Sequence, residues 1–316
     1  MLIESTRAIP LGNQKDTGNM GHAPKHQIES ITTALLKPTG AAGLYGRTAL
    51  FEQVIEGLSV LISRHREPDT EILRFPPVMS RQQLERSGYL HSFPHLLGCV
   101  SCLSGNESEI RASVDRNDWI IGLAATDLVL SPAACYPVYP LQAAEGSLPS
   151  QGRLFDVASD CFRHEATHEP GRLQSFRMRE YVYMGTPEQA VNFRSRWIPR
   201  AERLAELLEL PYKIERASDP FFGRTGKYMA LSQIEQSLKY ELLIPVNSEE
   251  EPTACMSFNY HLDHFGSTWE LRTDHGDIAH TSCVAFGIDR LALAIFSTHG
   301  LDPQVWPAPV RENLLV

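Results

Sequence analysis

The chain has 316 residues, 42% hydrophobic and 21% charged, with a formal net charge of -9. This is the composition of a globular protein with a sizeable core rather than of a disordered chain. The acid excess argues against an extended nucleic-acid surface, which draws most of its affinity from neutralising phosphates, and no apolar run approaches the roughly 20 residues of a membrane span.

Residues 1–24 are polar with scattered glycines and lack the apolar centre of a secretory signal. They read as a loose leader of a cytoplasmic protein. Residues 1–44 are expected to form an N-terminal extension, and 45–316 the folded domain. Leu50, Val54, Leu58, Leu61 and Ile62 recur at helical spacing and predict an amphipathic helix over 48–65. A short strand over 71–75 stops at Pro76-Pro77. Ser80 is placed to cap a helix reaching Arg86, and Gly88 closes it. The six cysteines read as core residues, metal ligands or catalytic groups rather than disulfides. Cys99 and Cys102 form a C-x-x-C without a second pair, and behind the apolar Leu96-Leu97 they read as packing residues.

A short apolar segment over 127–130 precedes the Ser131-Pro132 turn. Strands over 153–163 and 174–183, joined by a polar loop holding Glu169-Pro170-Gly171, predict an antiparallel hairpin. A helix follows over 187–210, with Pro199 interrupting its first half. Strands are expected over 211–215, 238–245 and 254–260, with a helical segment around 224–238 before the second of them. A strand over 283–286 breaks at Gly287 and leads into a buried helix over 288–297. This order predicts an α+β fold, an antiparallel β-sheet flanked by helices. The common phosphate loops, G-x-x-x-x-G-K-[ST] and a strand-coupled G-x-G-x-x-G, are absent.

Two arginines stand out. Arg163, in Phe162-Arg163-His164-Glu165, ends a strand; its forked donors suit a phosphate, and Glu165 could accept from an adenine amino group. Taken alone, the string reads as an exposed ion pair, since Arg-x-Glu is common at strand ends. Arg290 opens an apolar helix and needs an anion, either a ligand or a carboxylate such as Asp289.

In this order, the segments resemble class II aminoacyl-tRNA synthetases. Phe162 to Glu165, with Arg172-Leu173-Gln174-Ser175-Phe176-Arg177-Met178-Arg179-Glu180, resembles their motif 2. Gly287-Ile288-Asp289-Arg290-Leu291-Ala292-Leu293-Ala294 resembles motif 3, and Phe75-Pro76-Pro77-Val78-Met79 resembles motif 1, the dimer element. Leu210-Pro211-Tyr212-Lys213 and Lys239-Tyr240-Glu241-Leu242 resemble the seryl branch.

The resemblance implies a class II catalytic core over 45–316, a homodimer, and an ATP site. That site would comprise Arg163, Glu165, Arg172, Leu173, Phe176, Lys239, Ala254, Cys255, Met256, Ser257 and Arg290. Phe176 would stack on adenine, and Cys255 would serve as a wall. Motif 3 departs from the family at Ala285, where a glycine is usual. The stretch 253–257 lacks the family's glutamate, which puts the magnesium ligands in doubt and makes Glu241 a substitute candidate.

By spacing alone, Cys135, Glu180 and Cys283 fit two buried thiols and an unrelated carboxylate. The zinc-dependent archaeal seryl enzymes place Cys, Glu and Cys at matching points, and this resemblance implies one zinc per subunit holding the substrate amine.

With the core resemblance beginning near residue 45, no tRNA-binding domain is expected ahead of it. The pattern is similar to that of the amino acid:[carrier protein] ligases. It implies activation of glycine or alanine with magnesium-ATP and transfer to a carrier protein's phosphopantetheine thiol, without tRNA. The carrier is expected to dock on the inserted segment at Arg224 and Lys227, with Arg194, Arg196, Arg200 and Arg203 as a competing basic patch. Alternatives are a minimal seryl-tRNA synthetase-like enzyme and a non-catalytic synthetase paralogue.

Overall fold

The computed structural model describes residues 25–165 and 171–315. Helix α1 (Lys25–Leu35) leads into a small hairpin, β1 (Leu36–Pro38) and β2 (Tyr45–Arg47). Helix α2 (Ala49–Ser63) starts at Thr48, whose hydroxyl accepts the Phe51 N–H. Next come β3 (Glu71–Arg74), β4 (Val78–Ser80), α3 (Arg81–Arg86) and α4 (Tyr89–Ser92). An arm follows, made of β5 (Cys99–Leu103), α5 (Glu107–Asp115) and β6 (Leu123–Leu130). After α6 (Val138–Glu145) come two long strands, β7 (Arg153–Phe162) and β8 (Ser175–Gly185), then α7 (Pro187–Leu207) and β9 (Lys213–Arg216). The chain ends with α8 (Gly223–Glu235), β10 (Lys239–Ile244), β11 (Thr253–Tyr260), α9 (His264–Trp269), β12 (His280–Gly287), α10 (Ile288–His299) and α11 (Ala308–Leu314). Among the described residues no helix is long and apolar enough to cross a membrane.

Seven strands form one sheet in the order β3-β7-β8-β12-β11-β10-β9, antiparallel except for the β3–β7 pair. Alternation gives it two faces. Tyr181, Val284 and Phe286 pack with Phe51, Trp197 and Phe296 from α2, α7 and α10. Val182, Met184 and Cys283 face a second cluster containing Tyr139, Phe265 and Trp269. Trp197 anchors the first layer, stacked on Tyr181 with ring centroids 4.9 Å apart and edge-on to Phe286 at 5.8 Å.

Three expectations are corrected. The helix α7 runs unbroken through Pro199. Proline forfeits one backbone hydrogen bond, but Phe193, Trp197, Ala201 and Leu204 on either side are buried in the core and keep the helix continuous across it. Cys99 and Cys102 are exposed rather than packed, because β5 is the edge of the small β4-β6-β5 sheet. Residues just before 45 are not all extension: Ile31, Leu35 and Leu36 are buried in the main core. The leader expected over 1–24 lies outside the described residues.

Asp156 on β7 is fully buried and collects three arginines. Arg179 binds it through Nε at 2.8 Å, Arg66 through Nη2 at 2.7 Å and Arg74 through Nη1 at 3.2 Å. Burial works to raise this carboxyl's pKa, but the guanidiniums overcome it and hold the group below the usual range. The folded pKa is therefore lower than the unfolded one. The stabilisation is present above the unfolded value and is lost as pH falls through the folded one. Asp156→Asn is expected to cost about 3 kcal/mol at pH 7, since it strands the buried Arg179 cation, while Arg66 and Arg74 keep access to solvent. Urea unfolding should show the gap to wild type closing below about pH 4, near the ordinary aspartate value.

Candidate active site

Antiparallel register places the polar residues of four neighbouring strands on one face. Glu180 pairs with Ala285, Ala285 with Ser257, and Ser257 with Glu241. One step along the strands, Cys283 pairs with Asn259, and Asn259 with Lys239. Residues directly opposite each other in such pairs point the same way. This face floors a cavity of about 710 Å3, walled on another side by α8.

Arg163 and Arg290 both line this cavity. Arg163 donates through Nε to the Pro132 carbonyl at 3.0 Å and lies 5.5 Å over the Phe176 ring. Arg290 donates to the carbonyls of Gly171 at 2.8 Å and Ala254 at 3.0 Å. Asp289 is not its partner. That carboxylate takes Arg47 at 3.0 Å and Arg177 at 2.9 Å, and it accepts the Arg177 backbone N–H at 2.6 Å. Among the described residues, neither Arg163 nor Arg290 forms an ion pair with a carboxylate. Burial first, with the nearby Arg163 charge adding to it, weakens Arg290's hold on its proton. A bound anion would relieve both effects.

The other residues expected at the nucleotide divide into two groups. Leu173, Phe176, Ala254, Cys255, Met256 and Ser257 line the cavity. Burial pushes the Cys255 thiol up to about 12, so it is a neutral wall. Glu165 also lines the cavity and pairs at 3.6 Å with Arg172, which is half-exposed outside the lining. Lys239 is buried and committed to two carboxylates, Asp219 at 2.6 Å and Glu241 at 2.9 Å. The turn at 169–171 falls mostly outside the described residues.

Cys135, Glu180 and Cys283 line the same cavity. Glu180 Oε1 accepts the Cys135 backbone N–H at 2.9 Å, and both thiols interact with its carboxylate. All three are buried. Burial raises the proton affinity of each, and the Glu180 charge raises the thiols further. Any cation bound there would have to displace protons that burial makes these groups hold more tightly. Among the described residues no three His, Cys, Asp or Glu side chains already stand in an ion-holding arrangement.

Sequence reasoning missed Asn259, His261 and Asp219. Asn259 Nδ2 donates to Ser257 Oγ at 3.1 Å and to Cys283 Sγ at 3.3 Å. His261 Nε2 lies 3.7 Å from the same sulfur, and its Nδ1 is 2.9 Å from Thr281 Oγ1. The signal was present in the alternation Ser257-x-Asn259-x-His261, which puts a polar stripe on one side of a buried strand. Asp219 sits in an irregular connection and carries no such signal. Arg224 and Lys227 are exposed on the first turns of α8.

No family model matches the chain. It is 56% identical over 308 residues to amino acid–[acyl-carrier-protein] ligase 1 of Bradyrhizobium diazoefficiens, covering 96% of this chain and 94% of that protein. The chain belongs to the amino acid–[acyl-carrier-protein] ligase family. A more distant relative of this ligase is the type-2 serine–tRNA ligase of Methanopyrus kandleri, 28% identical over 291 residues, 84% of this chain and 54% of that protein. In fold, the ligase matches the crystal structure of the M. kandleri seryl-tRNA synthetase in complex with A. aeolicus tRNASec. The TM-score is 0.77 at 24% identity, over 93% of this chain and 60% of that one. This match establishes the class II synthetase fold of the catalytic domain.

Proposed function

We propose that the ligase activates a small amino acid with ATP as its adenylate, glycine in preference to alanine, and passes it to the phosphopantetheine thiol of a carrier protein. The observation that carries this reading is the pair of arginines, Arg163 and Arg290, left without carboxylate partners among the described residues in the cavity that also holds Cys135, Glu180 and Cys283. A carboxylate oxygen of the amino acid attacks the α-phosphorus, and the bond to pyrophosphate breaks. Arg163 and Arg290 hold the phosphate charge in place before it develops, so no reorganisation is needed at the moment of reaction. Phe176 and Glu165 are assigned to the adenine. The carrier thiolate then attacks the adenylate carbonyl, the carbon–oxygen bond to AMP breaks, and a thioester forms.

Zinc is the ion this donor set suits, because two thiols and a carboxylate leave a fourth position open. Held by Cys135, Glu180 and Cys283, one ion per subunit would supply a Lewis-acid seat for the substrate amine. Magnesium accompanies ATP; Glu241, the substitute ligand, is held by Lys239. Two features support a minimal side chain. His261 fills the space beside Cys283, edge-on to Phe265 at 5.1 Å. Ser257 and Asn259 are bonded to each other rather than poised to read a hydroxyl.

Arg224 and Lys227 suit an acidic carrier, and part of the competing patch is engaged within the fold. Arg196 and Arg200 pair with Glu67, and Arg194 lies against the rings of Tyr240 and Tyr260. A second copy of the chain is the proposed cover for the arm, where Trp119, Ile120 and Ile121 stand exposed at 43%, 67% and 85%. A sedimentation mass of one chain would remove this part of the reading.

Amino-acid-dependent ATP–pyrophosphate exchange tests the activation step. Glycine should support it best, and Arg290→Ala should lower kcat/KM by about 100-fold or more. Mass spectrometry of a carrier protein incubated with ligase, ATP and glycine should then show one added glycyl group. Exchange without any amino-acid dependence, or transfer to tRNA instead, overturns the reading. Cys283→Ser should lose most bound zinc as well as exchange activity; full metal content in that variant removes the zinc assignment.

A further inference from the structure

Helix α8 has little apolar attachment to the rest of the ligase. Gly226 is its one buried residue, and a Cβ there would come 2.6 Å from the Phe221 carbonyl. Tyr228, Met229 and Leu231 are exposed, at 70%, 43% and 57%. What secures the C-terminal half is polar. Gln233 Oε1 accepts the Asp219 backbone N–H at 2.7 Å, and Gln233 Nε2 donates to Asp219 Oδ2 at 2.8 Å. The other carboxylate oxygen, Oδ1, accepts from Lys239 Nζ at 2.6 Å. One glutamine thus ties a mostly exposed helix to the carboxylate that pairs with the buried Lys239 of β10.

Asp219 lines the cavity alongside Arg163, His261 and Cys283. Gln233, Asp219 and Lys239 all line the same space. Lys239 is the strand partner of Asn259, which in turn bonds Cys283. If Asp219 moves, a buried ammonium keeps Glu241 as its only carboxylate among the described residues. Such a loss is costly enough to reshape the floor around it.

We propose that Gln233 is a positioning residue. By fixing Asp219 it couples the seat of α8 to the amino-acid site of the cavity, so a carrier protein pressing on α8 changes how the amino acid is held. The inference rests on the amino-acid-activating reading above and adds to it a link between the docking helix and the substrate. Gln233→Glu separates this role from simple space-filling. It preserves size and keeps an acceptor for the Asp219 N–H, but it sets a carboxylate oxygen against Asp219 Oδ2. Space-filling makes Gln233→Glu milder than Gln233→Ala, whereas an electrostatic clamp makes it at least as severe.

The experiment uses full chains of wild type, Gln233→Ala, Gln233→Glu and, as control on the same helix, the exposed Glu235→Ala. Amino-acid and ATP KM values are read by pyrophosphate exchange, and the seating of α8 by hydrogen exchange over its backbone. Gln233→Ala should raise the amino-acid KM about tenfold, leave the ATP KM within about twofold and speed exchange in α8, with Gln233→Glu no better. Glu235→Ala should match wild type. A loosened α8 with an unchanged amino-acid KM overturns the coupling. A joint rise in both KM values with a lowered Tm overturns it too, since that is general damage. A wild type inert in exchange overturns the activation reading and this one with it, whereas an active wild type matched by Gln233→Ala overturns this one alone.

Discussion

The register of β8, β12, β11 and β10 is the constraint on which the rest depends. A strand turns its side chains alternately to its two faces, so a slip of one residue would exchange them. The apolar set Tyr181, Val284 and Phe286 faces the helical layer, and this fixes Glu180, Cys283, Ser257 and Asn259 on the opposite side. The hydrophobic effect thus places the chemistry. Burying aromatic rings under α2, α7 and α10 determines which side chains look into the cavity.

Charge is distributed to the same end. Asp156 gathers Arg66, Arg74 and Arg179; Asp289 gathers Arg47 and Arg177; Glu67 gathers Arg196 and Arg200. Those carboxylates are already matched to other cations. Arg163 and Arg290 make contacts to backbone carbonyls instead, and these orient a guanidinium without neutralising it. The fold therefore holds two cations near each other in a poorly solvated space, which is what recognition of a polyanion requires.

Much of this was legible in the sequence where local pattern and site coincide. The helix after Thr48 and the strand–Gly287–helix unit carried both their period and their boundary. Arg163 and Arg290 were ambiguous singly; it was their pairing and order in the chain that pointed towards a ligand site rather than an ion pair. The arm was poorly legible. Its α5 has no buried residue, so it has no apolar stripe to read. Pro199 misled for the opposite reason: a strong local rule was outweighed by the burial of Trp197 and Ala201. Asp219 could not be found by pattern, since its role comes from contacts with residues 14 and 20 positions away.

Gly226 has a consequence for motion. A helix pinned at Gly226 and again at Gln233 is held at two points roughly 10 Å apart along its axis, given the rise per residue. Two fixed points remove translation and tilt and leave rotation about the line joining them. The exposed Tyr228 and Leu231 lie between these points and act as handles on that single freedom. Any torque applied to them from outside is delivered to the wall of the cavity.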